Sequence, residues 1–245
     1  MKAVVMGATK GMGRALARLL AERGDRLFLL EHLPEELERT AGDLEIRGAE
    51  RPVGTALCDL LKPETFAPAL DAAERELGGL ETVIVTAGLF GTQEQLERDP
   101  QFAAQVLLAD FTNTVLFCEE VRKRLLARGG GTLCVFSSVA GERGRKPVVL
   151  YGSAKAGLSR YMEGLDHKFR AAGLRAVCVK PGFVKTGMTV GLKPPPFAGE
   201  PQDVARRVLR AVERGTPEVY VPPMWRWVMC AIRSLPRFAM RRIGF

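Results

Sequence analysis

The 245-residue sequence predicts an α/β architecture, a doubly wound parallel sheet of about seven strands. Two observations lead there. Short apolar runs alternate with helical stretches along the chain, an order that produces a parallel sheet with right-handed crossovers. Polar, small or proline residues also recur at or just after the ends of those runs: Glu31, Asp59, Thr86, Gly88, Ser138 and Pro181. Ligands of such sheets bind beyond the carboxyl ends of the strands, so one crevice can collect all six.

Residues 2–6, KAVVM, read as a buried strand, followed by the turn GATKGMG (7–13) and a helix rich in Ala, Leu and Arg to about Arg23. Strand, glycine turn and helix N-terminus together let backbone N–H groups and the helix dipole hold a pyrophosphate. The glycine spacing is GxxxGxG. A second strand, 26–30, ends in Glu31, where a carboxylate can accept hydrogen bonds from ribose hydroxyls and repel a 2′-phosphate. Lys10 acts in the opposite sense, because a cation in the glycine turn can pair with that phosphate. NAD(H) is therefore favoured through Glu31, and NADP(H) stays open through Lys10.

The alternation continues with helix 34–47, strand 52–57 ahead of Asp59, helix 63–77 and strand 82–86 ahead of Ala87 and Gly88. A long helix, 101–127, turns at Gly129, Gly130 and Gly131 into strand 133–136, which ends in Ser137 and Ser138. Helix 151–171 leads to strand 175–179 and then Pro181 and Gly182. Segment 183–200 interleaves Gly187, Gly191, Pro194, Pro195, Pro196 and Gly199 with Phe183, Met188, Leu192 and Phe197, the composition of an apolar lid beside a pocket. Helix 201–214 and strand 218–221 complete the sheet. No repeat or linker divides the chain, so 1–221 is expected to be one dinucleotide-binding and catalytic domain and 222–245 a basic amphipathic extension of it.

The chemistry is expected around Tyr151 and Lys155. Four residues apart on a helix, they share a face, so the ammonium can sit beneath the phenol. A free Tyr titrates at roughly 10, and a neighbouring cation favours the phenolate and moves it towards the working range of an acid–base catalyst. A hydroxyl from an adjacent strand end, Ser138, can then hold a carbonyl or alcohol oxygen.

Composition narrows the alternatives. The apolar runs are too short to span a membrane and no signal peptide precedes the first strand, so a cytoplasmic protein is expected. Five scattered cysteines, without a CxxC pair, and two histidines argue against a metal site and read as buried free thiols. Of the net charge of +8, five units lie in the tail as Arg226, Arg233, Arg237, Arg241 and Arg242, which argues against a nucleic-acid surface on the body of the protein.

GATKGMG at 7–13, Asp59-Leu60, TAG at 86–88, Ser138, YGSAK at 151–155 and PGFVKT at 181–186, in this order, resemble the short-chain dehydrogenase/reductase family over about residues 2–221. The resemblance implies a Rossmann-type sheet with helices on both faces, a nicotinamide cofactor, and hydride transfer to or from a carbonyl or alcohol carbon. It implies that Tyr151 is the general acid/base, that Lys155 lowers its pKa and binds the nicotinamide ribose, and that Ser138 orients the substrate. It places Gly7, Gly11, Met12 and Gly13 on the pyrophosphate, Asp59 and Leu60 on the adenine, Ala87 and Gly88 on the adenosine-side ribose, and Pro181, Gly182 and Thr186 at the nicotinamide end. Three positions depart from the family pattern: Met6 for Thr, Thr86 for the Asn of NAG, and Asp110 for the helix Asn that completes the catalytic tetrad, with Asn113 one turn later.

The tail, with GERGRK ahead of the tyrosine, resembles the branch of reductases acting on decaprenylphosphoryl keto-sugars, which implies an apolar or lipid-linked keto substrate. Its arginines recur on one helical face, and Trp227, Ile232, Leu235, Phe238 and Ile243 lie largely elsewhere, with Pro236 dividing it into two short helices. Such a segment can lie on an anionic membrane, here the inner surface, or pack on a partner subunit. The resemblance further implies a homodimer or homotetramer. The competing function is a non-catalytic nucleotide-binding regulatory or scaffold protein of the same fold.

Overall fold

The computed structural model describes residues 1–191, 194–195 and 197–243. Seven parallel strands form one sheet in the order β3-β2-β1-β4-β5-β6-β7: β1 (Lys2–Met6), β2 (Arg26–Glu31), β3 (Glu50–Leu57), β4 (Thr82–Val85), β5 (Gly131–Phe136), β6 (Leu174–Pro181) and β7 (Glu218–Val221). Period-two alternation divides the core. Ala3, Val5, Leu27 and Leu29 face α1 (Gly11–Glu22), α2 (Pro34–Ile46) and α8 (Pro201–Arg214), whereas Val4, Met6, Phe28 and Leu30 face α3 (Phe66–Leu77), α6 (Asn113–Ala127) and α7 (Val149–Phe169). Both faces are covered, which is why the central strands β1, β4 and β5 are nearly continuous apolar runs, AVVM, VIV and LCVF.

The order reverses at β1, which pairs with β2 on one side and β4 on the other. Their carboxyl ends diverge there and open the crevice. Strand and helix bounds follow the sequence expectation to within three residues, the largest difference being a 3₁₀ turn at Pro63–Thr65 ahead of α3, and the long helix differs in kind. It comprises α5 (Pro100–Leu107), a π-helical turn (Leu108–Thr112) and α6, preceded by α4 (Gln93–Arg98), whose Thr92 and Gln95 form a capping box. Within the π turn the Asn113 N–H reaches back five residues to the Leu108 carbonyl. Periodicity over 27 residues cannot reveal one extra residue in a turn, yet such insertions re-aim side chains and concentrate at functional sites.

The tail forms two helices, α9 (Met224–Ser234) and α10 (Arg237–Arg242), separated at Pro236 as expected. α9 buries Met229 and Ile232 against Val139 and Tyr220 of its own domain, a docking the two sequence alternatives did not include. Trp227 and Phe238 stay 71% and 65% exposed. Four cysteines are buried as expected; Cys230, on the outer side of α9, is exposed. Of the lid, Leu192 and Pro196 lie outside the described residues. Among the described residues no helix is long and apolar enough to cross a membrane, and no cluster of three metal-ligating side chains occurs.

Candidate active site

β1 ends in a turn that feeds α1. Lys10, at the helix N-cap position, makes no capping hydrogen bond, so the first-turn N–H groups of Gly11 and Met12 remain for an anion. Gly13 makes this geometry feasible: a Cβ there would overlap the Gly7 carbonyl oxygen and the Thr86 hydroxyl. Thr86 Oγ1 lies 3.0 Å from the Met6 oxygen and 2.9 Å from that of Gly7, tying the end of β4 to the turn. The Thr in place of the pattern's Asn thus serves the turn.

The cleft that begins at this turn encloses about 390 Å³ and is lined by Gly7, Lys10, Gly11, Met12, Gly13, Glu31, Asp59, Leu60, Ala87, Gly88 and Thr186, eleven of the residues expected to hold a cofactor. Glu31 is 8% exposed at the tip of β2. Its Oε2 accepts from Thr9 Oγ1 at 2.8 Å and its Oε1 from the His32 N–H at 2.9 Å, with His32 Nδ1 at 2.6 Å. Lys10 is turned outward into an ion pair with Glu36 at 3.0 Å. Leu33, Leu61 and Met188 add apolar walls that sequence reading did not single out. A flat base fits between such walls, a ribose diol fits the Glu31 carboxylate, and a pyrophosphate fits the uncapped helix start, so the donor set suits a dinucleotide.

Beyond Gly88 the cleft meets the residues from which catalysis is expected. Gly88 lies directly against the Asp110 carboxylate and the Lys155 ammonium. Lys155, 4% exposed, approaches Asp110 Oδ2 at 3.4 Å, donates to the Phe136 carbonyl at 3.3 Å, and stands 5.6 Å from the centre of the Tyr151 ring. Asp110, fully buried in the π turn, accepts the Leu89 N–H at 2.7 Å through Oδ1. Asn113 points elsewhere, donating to the Leu60 carbonyl at 2.6 Å, so of the two it is Asp110 that meets Lys155. Behind the lysine, Ser137 and Ser159 both donate to the Lys155 carbonyl, at 2.8 and 2.9 Å, and fix that turn of α7. Ser138 accepts from the Ala140 N–H at 3.0 Å and lies close enough to Tyr151 to act on its phenol, and the Tyr151 ring packs edge-on against Phe90 with centroids 5.1 Å apart.

The electrostatics correct one expectation. Burial pushes the Tyr151 phenol up, and Asp110 adds to it, against the downward pull of Lys155 and Ser138; the net direction is upward. The lysine acts in the expected sense, but the enclosed ring end loses more by desolvation than one cation returns. Burial works against the Lys155 charge too, and there Asp110 and Tyr151 win, holding the ammonium above its ordinary range. Burial raises the Asp110 carboxyl against the opposing effects of Lys155 and Leu89.

Residues 1–195 match the short chain dehydrogenase family. The chain belongs to that family. Uncharacterized oxidoreductases of Mycobacterium tuberculosis and Streptomyces coelicolor are 33% and 36% identical to it, each across 98% of this chain and 96% and 94% of their own lengths. Carbonyl reductase family member 4 of Danio rerio is 30% identical over 86% of this chain and 90% of its own. In fold, a short-chain dehydrogenase/reductase from Mycobacterium ulcerans superposes with a TM-score of 0.79 at 21% identity, covering 89% of this chain and 86% of that one. Actinorhodin polyketide ketoreductase with NADPH gives 0.79 at 22% identity over 89% and 94%. This short-chain dehydrogenase is therefore an NAD(P)-dependent oxidoreductase, and the seven-stranded sheet expected from its sequence is the sheet of its family.

Proposed function

We propose that the enzyme interconverts a ketone and a secondary alcohol, with Tyr151 as proton donor and acceptor. The observation that carries this reading is the enclosed Asp110–Lys155–Tyr151 cluster at the inner end of the dinucleotide-shaped cleft, with Ser138 beside the phenol. When bound, NAD(P)H supplies or accepts the hydride. In ketone reduction, Tyr151 Oη donates its proton to the substrate oxygen and Ser138 donates a hydrogen bond to the same oxygen. Lys155 stabilises the phenolate that remains, and Asp110 holds the ammonium in place. Gly11, Met12 and Gly13 would hold the pyrophosphate, Asp59 and Leu60 the adenine, Pro181, Gly182 and Thr186 the nicotinamide end, and Glu31 the adenosine ribose, favouring NAD(H). The outward pairing of Lys10 with Glu36 supports that preference.

The substrate we propose is apolar or lipid-linked, with the enzyme peripheral to an anionic membrane surface. In support, α10 and the loop before α7 flank a hollow of about 540 Å³ whose lining includes Arg143, Arg145, Lys146, Arg237 and Arg241 and, among the described residues, no carboxylate, and the tail also exposes Trp227 and Phe238. Cations with exposed aromatics suit an anionic bilayer. Homo-oligomerisation through the long helices is supported by exposed Leu107, Leu108, Phe111 and Leu116 along α5, the π turn and α6.

Tyr151→Phe is expected to retain NADH binding in calorimetric titration and to lose roughly 10²–10⁴-fold in kcat. Unchanged turnover would remove Tyr151 from the mechanism. Because the phenol sits above its ordinary range, alcohol oxidation, which needs the phenolate, should accelerate with pH between about 7 and 10, while ketone reduction stays nearly flat. Oxidation independent of pH over that span would place the proton transfer on another group.

A further inference from the structure

The indole N–H of Trp225 is buried and has no hydrogen-bond partner among the described residues. A buried donor left unmade costs free energy, and native chains keep few of them. Its position is specific. α9 lays the indole over the end of β6, where a Cβ on Gly182 would overlap Nε1, Cε2 and Cδ1 of the ring. β5 and β6 run side by side with Phe136 opposite Val179, and the Ser137 N–H donates to the Val179 carbonyl at 2.8 Å. Ser138 is therefore level with Pro181, one residue from Gly182. Trp225 also packs in the cluster that contains Val139, the residue after Ser138. Phe197, from the segment between β6 and α8, meets the indole edge-on with centroids 5.1 Å apart.

An unpartnered N–H thus stands over Gly182, at the strand end level with Ser138, on an aromatic wall made by two segments that sequence analysis could not connect. Ser138 and Tyr151 already serve the reacting oxygen, so a donor from the third side has to serve another. We propose that Trp225 is a specificity-determining residue whose indole N–H donates to a second oxygen of the substrate, a hydroxyl or ether on a carbon near the ketone, while the Trp225–Phe197 pair packs on its carbon skeleton. The preferred substrate class is accordingly a hydroxylated ketone. This rests on the ketone–alcohol reading above and narrows it.

The test pairs 2-hydroxycyclohexanone with cyclohexanone as probes. Trp225→Phe, which keeps an aromatic ring and loses only the donor, should reduce the kcat/KM ratio of the hydroxylated over the plain ketone by about tenfold or more. Gly182→Ala, which displaces the indole, should lower the same ratio. An ¹⁵N-edited spectrum of the wild type shows one indole signal from each of two tryptophans, assigned with Trp225→Phe. The Trp225 signal should move downfield in the complex with NAD⁺ and 2-hydroxycyclohexanone and stay in place with NADH alone. A shift with NADH alone would give the donor to the cofactor and overturn the proposal, as would an unchanged ratio or a signal that ignores both ketones. Cyclohexanone reduction with an unchanged ratio fells only the role of Trp225. NAD(P)H that neither binds nor is oxidised with either ketone fells the ketone–alcohol reading with it.

Discussion

At the end of the crevice proposed to hold adenosine the lining is largely main chain, namely the turn between Gly7 and Gly13, the start of α1 and the strand ends, with Glu31 as the principal charged side chain turned inward. At the end proposed to be catalytic it is side chains: Asp110 from a π turn, Lys155 and Tyr151 from α7, Ser138 from the end of β5 and, in our proposal, Trp225 from the tail. The first half needs glycines at close approaches and is indifferent to most other neighbours. The second depends on groups far apart in sequence meeting at short range, with Asp110 and Lys155 buried. A backbone-built site should therefore fail by steric displacement, and a side-chain-built site by stranded charge. Variants in each half can separate these modes.

The largest expected effect is at Asp110. Asp110→Ala would leave the Lys155 ammonium buried with the Phe136 carbonyl as its remaining fixed acceptor, and breaking a buried pair from one side costs about 3–5 kcal/mol. Urea unfolding should show that loss, and Asp110→Asn, which can still accept the Leu89 N–H, should show less. Equal stability of Asp110→Ala and wild type would mean that Lys155 does not depend on this carboxylate, and the contrast between the halves would lose its basis. Next is Gly13→Ala. Its methyl would meet the Gly7 carbonyl and the Thr86 hydroxyl, both held in the turn, so overpacking of about 1–3 kcal/mol is expected together with weaker NADH binding by calorimetry. Stability lost with NADH affinity intact would show that the turn shapes the fold and not the cofactor site.

The same difference explains what could be read from the chain. Strand, glycine turn and helix follow one another within residues 2–22, so local pattern is enough to place the turn and the helix start. Tyr151 and Lys155 share a helix face for the same local reason. Asp110 was identifiable by its place in a family pattern, but its aim towards Lys155 depends on a π turn, which leaves no periodic trace. The raised Tyr151 pKa was not legible either: a sequence shows the cation four residues away and hides the enclosure that outweighs it. Glu142 is the clearest omission. It lies in GERGRK, among cations, where a solvated acid would be unremarkable.

Glu142 is in fact the hub that joins the catalytic half to the tail. Its side chain is 5% exposed, with Lys180 Nζ of β6 at 2.7 Å, the Tyr220 hydroxyl of β7 at 2.9 Å and Arg233 Nη1 of α9 at 3.1 Å. Burial acts to raise its carboxyl, but Lys180, Tyr220 and Arg233 together hold it below the usual carboxylate range. The linkage has a definite sign. The unfolded chain binds a proton at Glu142 near pH 4.3, roughly the free Glu value, and the folded chain only at lower pH. Its contribution is therefore complete above the unfolded pKa and disappears as pH falls through the folded one. Glu142→Gln should cost about 1 kcal/mol at pH 7, the smallest of these effects because Lys180 keeps its second partner, Glu218. It should also flatten the acid limb of the urea-midpoint profile between about pH 5 and 3 relative to wild type, with Trp225 and Trp227 fluorescence reporting α9. Parallel acid limbs in the two proteins would show that the tail is held by Met229 and Ile232 alone, and the catalytic half would then owe its tail-side wall to apolar packing, with no contribution from the buried charge network.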